Sequence, residues 1–201
     1  TIQTSNDALT FGNVILGANT SLDTNAVTGT SDLSLGAVTG ATFDLTLSTG
    51  DNIAGADVTG SSVNTTGNLN LADIGGTATF TGALTVGDLD VPATVANLVL
   101  SGTGNSFTSP VTLLNDGTTT LGNSATDTFV FNGGLSETAL GVVTLAAAIS
   151  SSDDAISFGD VTLGADTSIN SNGGTIITGA IVGTAGEDLS ISSTGGTTNT
   201  V

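Results

Sequence analysis

Short runs of alternating apolar and polar residues occur along the whole chain. In each run the apolar residues stand two positions apart with polar residues between them, as a strand with one buried face requires. No window shows the apolar period of about 3.6 residues that marks a helix, so we predict short strands throughout. The clearest runs contain Leu33 and Leu35, Leu45 and Leu47, Leu69 and Leu71, Leu89 and Val91, Leu98 and Leu100, Leu113, Phe129 and Phe131, Val143 and Leu145, Ile156 and Phe158, and Leu189 and Ile191.

Turn signals separate these runs, for example at Asp116-Gly117 and at Asn132-Gly133-Gly134. Two architectures fit short strands of this kind, a β-sandwich array and a β-solenoid. A sandwich usually has a large aromatic anchor, and the chain lacks Trp and Tyr. Gly and Asn suit the corners of a solenoid, whereas Val, Leu, Ile and Thr stack well in parallel ladders. We therefore predict an all-β parallel β-solenoid with stacked coils of ~20 to 25 residues, and keep the β-sandwich repeat array as the alternative.

The chain also contains a long internal repeat. Residues 1–25 align without gaps with residues 148–172, and 13 of the 25 positions are identical. Weaker similarity continues from Gly36 and Gly179 after a small insertion. We therefore predict that residues 1–147 are one full super-repeat and that residues 148–201 begin a second copy, continuous with the first.

Aligned positions in the two copies exchange Asn and Asp. Such an exchange indicates that a corner-forming, hydrogen-bonding side chain is required and that its charge is optional. Only Asp7 and Asp154 keep the acid in both copies. The exchanging pairs are Asn6 and Asp153, Asn13 and Asp160, Asn19 and Asp166, and Asp23 and Asn170.

The composition narrows the possible functions. The chain has no Lys, Arg, His, Cys, Met, Trp or Tyr, and its 18 acidic residues give a net charge of -18. Most side chains that act as bases, nucleophiles or soft metal ligands are therefore missing, and we predict that the chain is not an enzyme and has no organic cofactor. Without cations it has nothing to neutralise phosphates, so we predict no nucleic-acid partner. The longest low-polarity run, from Gly141 to Ile149, is far shorter than the ~20 residues of a membrane span, and we predict no membrane insertion.

Carboxylates are the remaining candidate ligands. Asp88 and Asp90 are expected on one face of a strand, and Asp7 and Asp154 at corners. Carboxylate oxygens bind Ca²⁺, which makes these four residues candidates for a calcium site. The chain contains neither an EF-hand loop nor a glycine-rich nonapeptide array, so solvated surface acids are the competing interpretation.

Two other compositional features have simpler interpretations. The stretches Gly82 to Gly87 and Gly183 to Gly186 are not followed by Lys, so we interpret them as turns rather than phosphate loops. Thr-rich segments suggest an ice-binding solenoid, but such a face needs a regular Thr-x-Thr row repeated on each coil, and the spacing of Thr along the chain is irregular. The segments are Thr118-Thr119-Thr120 and Thr197-Thr198.

The residue pattern of several strands and turns resembles that of the repeat regions of large bacterial exoproteins of the filamentous-haemagglutinin and autotransporter-passenger type. The segments that carry the resemblance are FDLTLSTG from Phe43, NLNL from Asn68 and DLSIS from Asp188. The resemblance implies a right-handed parallel β-helix, secreted to the bacterial cell surface, that acts as a stalk, adhesin or biofilm-matrix filament.

We therefore expect a structural segment of a secreted surface fibre or adhesin stalk. Its partner would be the protein itself, either through head-to-tail stacking or as a longer chain of the same repeats. The alternative is an adhesive module that binds carbohydrate or another surface. An exposed row of Phe would favour that module, and inward-pointing Phe would argue against it.

Overall fold

In a computed structural model of the chain, the described residues form twenty-seven short β-strands. The structure describes residues 1–27, 31–50, 53–184 and 186–194. These ranges contain strands, turns and bends but no helix, as the two-residue alternation predicted.

The strands form three sheets of nine strands each. Sheet A contains β1 (Ile2–Gln3), β4 (Thr20–Asp23), β7 (Leu45–Ser48), β10 (Asn68–Ala72), β13 (Asp88–Val91), β16 (Val111–Leu113), β19 (Leu135–Glu137), β22 (Ile156–Ser157) and β25 (Ile176–Ile177). Sheet B contains β2 (Leu9–Phe11), β5 (Leu33–Leu35), β8 (Val58–Gly60), β11 (Ile74–Phe80), β14 (Val95–Leu100), β17 (Thr119–Leu121), β20 (Val143–Leu145), β23 (Val161–Leu163) and β26 (Ile181–Gly183). Sheet C contains β3 (Val14–Ile15), β6 (Val38–Ala41), β9 (Val63–Thr65), β12 (Leu84–Val86), β15 (Asn105–Phe107), β18 (Thr128–Phe131), β21 (Ala148–Ser151), β24 (Thr167–Asn170) and β27 (Leu189–Ser192).

The chain passes through sheets A, B and C in that order nine times. Each strand pairs in parallel with the strand three positions later, as β7 does with β10 and β10 with β13. One circuit is therefore one coil, and the described part of the chain is a parallel β-solenoid of nine coils, about 40 Å long at ~4.8 Å per coil. A β-sandwich has antiparallel sheets, so that alternative is excluded. The right-handedness implied by the resemblance stays a prediction.

Inward-facing side chains stack in columns along the solenoid axis. In sheet A, Leu45 and Leu69 pair directly, Leu69 pairs with Leu89, and all three are buried. Thr46, between Leu45 and Leu47, is half-exposed on the outer side. Burying each Leu side chain of these columns contributes about 1.5–3 kcal/mol to the free energy of folding, so the interior columns hold the coils together.

The interior adjusts to its few large side chains. Phe80 is fully buried on sheet B and pairs with Gly60 of the preceding coil. A Cβ atom at Gly60 would lie 2.6 Å from two ring atoms of Phe80, so the absence of a side chain makes room for the ring. On sheet C, the rings of Phe107 and Phe131 stack with their centroids 4.9 Å apart and an interplanar angle of 13°.

The two copies of the repeat lie on different sheets. Ile2 belongs to sheet A, whereas its equivalent Ile149 belongs to sheet C; Val14 belongs to sheet C, whereas Val161 belongs to sheet B. The offset is 21 − 1 = 20 strands, from β1 to β21, and 20 is not a multiple of three. The same shift relates β2 to β22 and continues as far as β7 and β27. The long repeat is therefore not a whole number of coils.

The sheets continue across residue 147 without a break. Strand β21, which starts the second copy, pairs with β18 before it and with β24 after it. The division into segments 1–147 and 148–201 therefore leaves no mark on the sheets, and it stays a prediction about the sequence.

Candidate interaction surfaces

The exchanged Asn and Asp residues accept backbone hydrogen bonds from the next coil. Asn13 Oδ1 accepts from the amide of Ala37 at 3.0 Å, and its equivalent Asp160 Oδ1 accepts from the amide of Ala180 at 2.9 Å. An amide or a carboxylate oxygen does this equally well, which explains why the charge is optional. The second such pair is Asn19, bonded by the Asp44 amide at 3.1 Å, and Asp166, bonded by the Asp188 amide at 2.9 Å.

A third exchanged pair supports a left-handed corner. Asp23 Oδ1 accepts from the amide of Asn25 at 2.8 Å, and Asn170 Oδ1 accepts from the amide of Asn172 at 2.9 Å. The φ angles of Asn25 and Asn172 are 46° and 54°, a conformation that Asn tolerates better than most residues. Asn and Asp are therefore corner residues in both copies, as predicted.

The fourth pair, Asn6 and Asp153, occupies left-handed corners itself. Their φ angles are 65° and 76°. Asn6 Oδ1 also accepts from the amide of Val27 at 3.1 Å, across to the second coil. The exchange again preserves a backbone conformation and not a charge.

Asp88 and Asp90 lie on the outer side of strand β13, with the buried Leu89 between them. Asp88 pairs with Asn68, and Asp90 pairs with Asn70, on the preceding coil. Amides rather than carboxylates therefore flank these two acids on that side. The two residues share a face, as predicted, and a calcium ion bound there stays a hypothesis.

Asp7 and Asp154 lie at two different corners. Asp7 is between sheets A and B, whereas Asp154 is between sheets C and A. The carbonyl oxygen of Asp7 accepts from Thr4 Oγ1 at 2.5 Å, and that of Asp154 accepts from Ser151 Oγ at 2.6 Å. The structure thus gives the two acids equivalent local roles but does not bring them together.

Within the described ranges, no three His, Cys, Asp or Glu side chains are close enough to hold a metal ion together. One surface depression contains two carboxylates, those of Asp166 and Asp188. These residues lie on adjacent coils, and Asp166 Oδ1 accepts from the Asp188 amide. They are successive members of one ladder and do not face each other across a cleft.

Glu137 is a carboxylate that occupies an interior column of sheet A. It follows Val91 and Leu113 in register on sheet A and is only 2% exposed. Its Oε1 accepts from the amide of Ala139 at 2.6 Å, and its Oε2 accepts from the amide of Gly159 at 3.0 Å. Burial raises the pKa of the Glu137 carboxyl, and these two hydrogen bonds partly offset the increase. The alternation in Leu-Ser-Glu places this residue inward, which the sequence analysis did not single out.

The Phe side chains offer no aromatic platform for a sugar. Five of the seven are buried, and Phe11 and Phe43 are half-buried against the core. Because exposed Phe was the feature that would favour a carbohydrate-binding module, their inward positions argue against it.

The glycine-rich stretches are strands and corners. Gly82 and Gly87 flank strand β12 and donate to the carbonyls of Ser61 and Gly67 of the preceding coil, each at 2.8 Å. Gly183 ends strand β26, and one residue of the stretch 183–186 lies outside the described ranges. The turn interpretation of Gly82 to Gly87 therefore holds only at the two ends of the stretch, because residues 84–86 between them form a strand.

The outer face of sheet B carries a row that irregular sequence spacing conceals. One residue per coil points outward at the centre of this sheet, and each pairs directly with the next. We call this set the threonine row. Its members are Thr10, Ser34, Thr59, Thr79, Val99, Thr120, Thr144, Thr162 and Val182.

The expectation that no regular Thr-x-Thr row repeats on each coil holds for sheet B, where only Thr77 with Thr79 and Thr118 with Thr120 have this pattern, but a single column that is mostly Thr is continuous across the coils. Successive members lie between 18 residues apart, from Thr144 to Thr162, and 25 residues apart, from Ser34 to Thr59. Corners of different length absorb this variation, while the strands stay in register. Thr118 and Thr120 belong to this face, whereas Thr197 and Thr198 lie outside the described residues.

No protein-family model, curated protein or solved structure matches the chain. Among the described residues there is no helix with the length and apolar character needed to cross a membrane.

Proposed function

We propose that this chain is a structural segment of a secreted bacterial surface fibre or adhesin stalk, which continues or self-associates end to end. The role is mechanical and not enzymatic. Support comes from the continuous parallel ladders of the solenoid and from the resemblance of its strands to surface exoproteins. The -18 charge, with no Lys or Arg, disfavours side-by-side association of such rods and leaves the ends as the surfaces for contact.

The comparison between the two copies is the observation that carries this proposal. Ile2 is 46% exposed in the first coil, whereas its equivalent Ile149 is 1% exposed because β18 covers it. Val14 is half-exposed, whereas Val161 is 2% exposed beneath β20. Strands of the second copy are thus paired with a preceding coil, whereas the equivalent strands of the first coil have no preceding strand to pair with. A further coil of the same kind would cover them.

The opposite end also has an exposed apolar residue of an inward column, on the last strand of sheet C. Unpaired strand edges of this kind pair with further strands unless they are covered. Leu189 is 36% exposed there, whereas Thr167, its partner in the same inward column of the preceding coil, is 3% exposed.

Electron microscopy and sedimentation of the 201-residue chain over a range of concentrations test the proposal. We expect rods of uniform width whose length increases with concentration and with added salt, which screens the charge. The variant Thr10→Pro blocks the open edge. The Leu9 amide donates to Asp32 and Phe11 accepts from Gly36, so the alternating Thr10 amide points towards that edge. Thr10→Ala keeps the amide and is the matched control. Elongation that continues in Thr10→Pro would contradict assembly through this edge.

Covalent continuation is tested by joining residues 127–147 ahead of Thr1, which places strands equivalent to β18, β19 and β20 before β1, β2 and β3. We expect the amides of the first coil to gain protection from hydrogen exchange. A prefix with Phe129→Asp and Phe131→Asp should give no gain. Equal protection with both prefixes would contradict the proposal.

Adding a chelator to the microscopy samples tests whether calcium at Asp7, Asp154, Asp88 or Asp90 contributes to assembly.

A further inference from the structure

We propose that the threonine row on the outer face of sheet B is an ice-binding surface. Eight of its nine members are β-branched, six Thr and two Val, and none is charged. The equivalent outward column of sheet A contains Asn70 and Asp90 and only three β-branched residues among eight. The outward column of sheet B is thus richer in β-branched side chains than that of sheet A, and unlike it carries no charge.

The spacing of the row suits a crystalline ligand. In-register parallel pairing places successive members ~4.8 Å apart along the solenoid axis. Oxygen rows on ice surfaces repeat at a similar interval, so several hydroxyls can contact one row together. A solute without a lattice gains nothing from this periodicity, whereas ice does.

A second column widens the surface in the middle of the solenoid. The residues two positions before the row are also uncharged on four successive coils. Two residues along a strand correspond to about 6.6 Å, so the two columns form a small two-dimensional array. The added column is Thr77, Asn97, Thr118 and Val142, beside Thr79, Val99, Thr120 and Thr144.

The hydroxyls of the row are available to water. None of its six Thr hydroxyls hydrogen-bonds to another described residue of the protein, in contrast to Thr118, whose Oγ1 donates to Asn97 Oδ1 at 3.0 Å. β-branched side chains have restricted χ1 rotamers, and parallel strands hold their backbone. The hydroxyls and methyl groups are therefore ordered before binding, and little conformational entropy is lost when ordered water or ice contacts them.

Crystalline polysaccharide is the main competing ligand for a periodic face. Binding to sugar rings generally uses aromatic side chains, and every member of the row is aliphatic. The observations therefore favour ice.

The test compares lysine substitutions on two faces of the solenoid. Thr79→Lys and Thr120→Lys place a long charged side chain in the row, whereas Thr112→Lys places it at the equivalent outward position of sheet A, in the same coil as Thr120. All three side chains point outward, and circular dichroism checks that each variant folds. Ice recrystallisation and the shape of single ice crystals are measured at equal protein concentration.

We expect wild type and Thr112→Lys to shape ice crystals and inhibit recrystallisation, and both row variants to lose these activities. Wild type without effect on ice, or equal loss in all three variants, would overturn the proposal. Wild type that binds cellulose or chitin crystals but not ice would also overturn it and indicate a polysaccharide ligand. End-to-end assembly is measured separately and should be unchanged in the row variants, so the two proposals can fail independently.

Discussion

Residues 1–25 and residues 148–172 are similar sequences in two different structural settings. They share 13 of 25 residues, yet each strand of the second copy lies on a different sheet from its equivalent in the first. The second copy is buried beneath a preceding coil, and the first is open. The comparison separates what a strand and its corner specify locally from what the neighbouring coil supplies.

The corners behave alike in both settings. Asn13 and Asp160 each bond the amide of the next coil, although one precedes a strand of sheet C and the other a strand of sheet B. Such a bond depends only on the presence of a coil stacked in register. A similar strand and corner can therefore occur on any of the three sheets. How far its side chains are buried depends on whether a preceding coil covers it.

The largest expected effect comes from the equivalent residues Phe11 and Phe158. Phe158 is 3% exposed, whereas Phe11 is half-exposed in the first coil. We expect Phe158→Ala to lower the free energy of unfolding by about 3–5 kcal/mol, the usual cost of deleting a buried ring. Phe11→Ala should cost well under half as much because less of its surface is removed from water. Urea denaturation measures both, and equal losses would show that the first coil is covered in solution.

A smaller effect on the free energy of unfolding is expected from Glu137, which contacts the second copy of the repeat but has no counterpart among the described residues beside the first. Its carboxylate accepts from the amide of Gly159 in the second copy. In the first copy, no described side chain accepts from the amide of the equivalent Gly12. Because burial raises the pKa of Glu137 in the folded protein, the folded state holds this proton more tightly than the unfolded state.

The contribution of this proton to stability is therefore fully present below the unfolded pKa and is lost as the pH rises through the raised pKa. We expect the free energy of unfolding of wild type, relative to Glu137→Gln, to fall as the pH increases above 4.5. Taking the difference largely cancels the repulsion among the other acids. A difference that is constant with pH, measured by denaturation at a series of pH values, would contradict the raised pKa.

The smallest effect is expected from exchanging the corner residues themselves. Asn13→Asp and Asp160→Asn each keep the oxygen that accepts the hydrogen bond, so stability should change by no more than about 0.5 kcal/mol. Asn13→Ala and Asp160→Ala remove it and should each cost about 0.5–1.5 kcal/mol. Thermal unfolding of the four variants tests this order. Exchange variants as damaged as the Ala variants would mean that charge matters at these corners.

Much of the fold follows from local sequence. The alternation at Leu45 and Leu47 predicts a strand with an inner face, and the exchange between Asn6 and Asp153 predicts a corner; the structure contains both. The same alternation around Leu135 places Glu137 inward. A carboxylate without an evident partner in the sequence is, however, normally predicted to lie on the surface. Its partners are backbone amides, one of which belongs to the next coil, so sequence spacing gave no signal for it.

The threonine row, and the placement of the two repeat copies on different sheets, could be seen only in the tertiary structure, for a related reason. Thr120 and Thr144 are 24 positions apart in the chain, whereas Thr144 and Thr162 are 18 apart, yet each pair is directly opposed. Corner length varies without changing strand register, so distances counted along the chain do not report distances across the sheet.

Taken alone, the amino-acid sequence determined the strands, the corners, the acidic surface and the parallel solenoid class, because each depends on residues a few positions apart. The stacking of coils decided which strands share a sheet, which carboxylate lies inside and which side chains form a continuous outer row. Those features depend on contacts between residues about one coil apart, and their register is set by packing and backbone pairing across the whole stack.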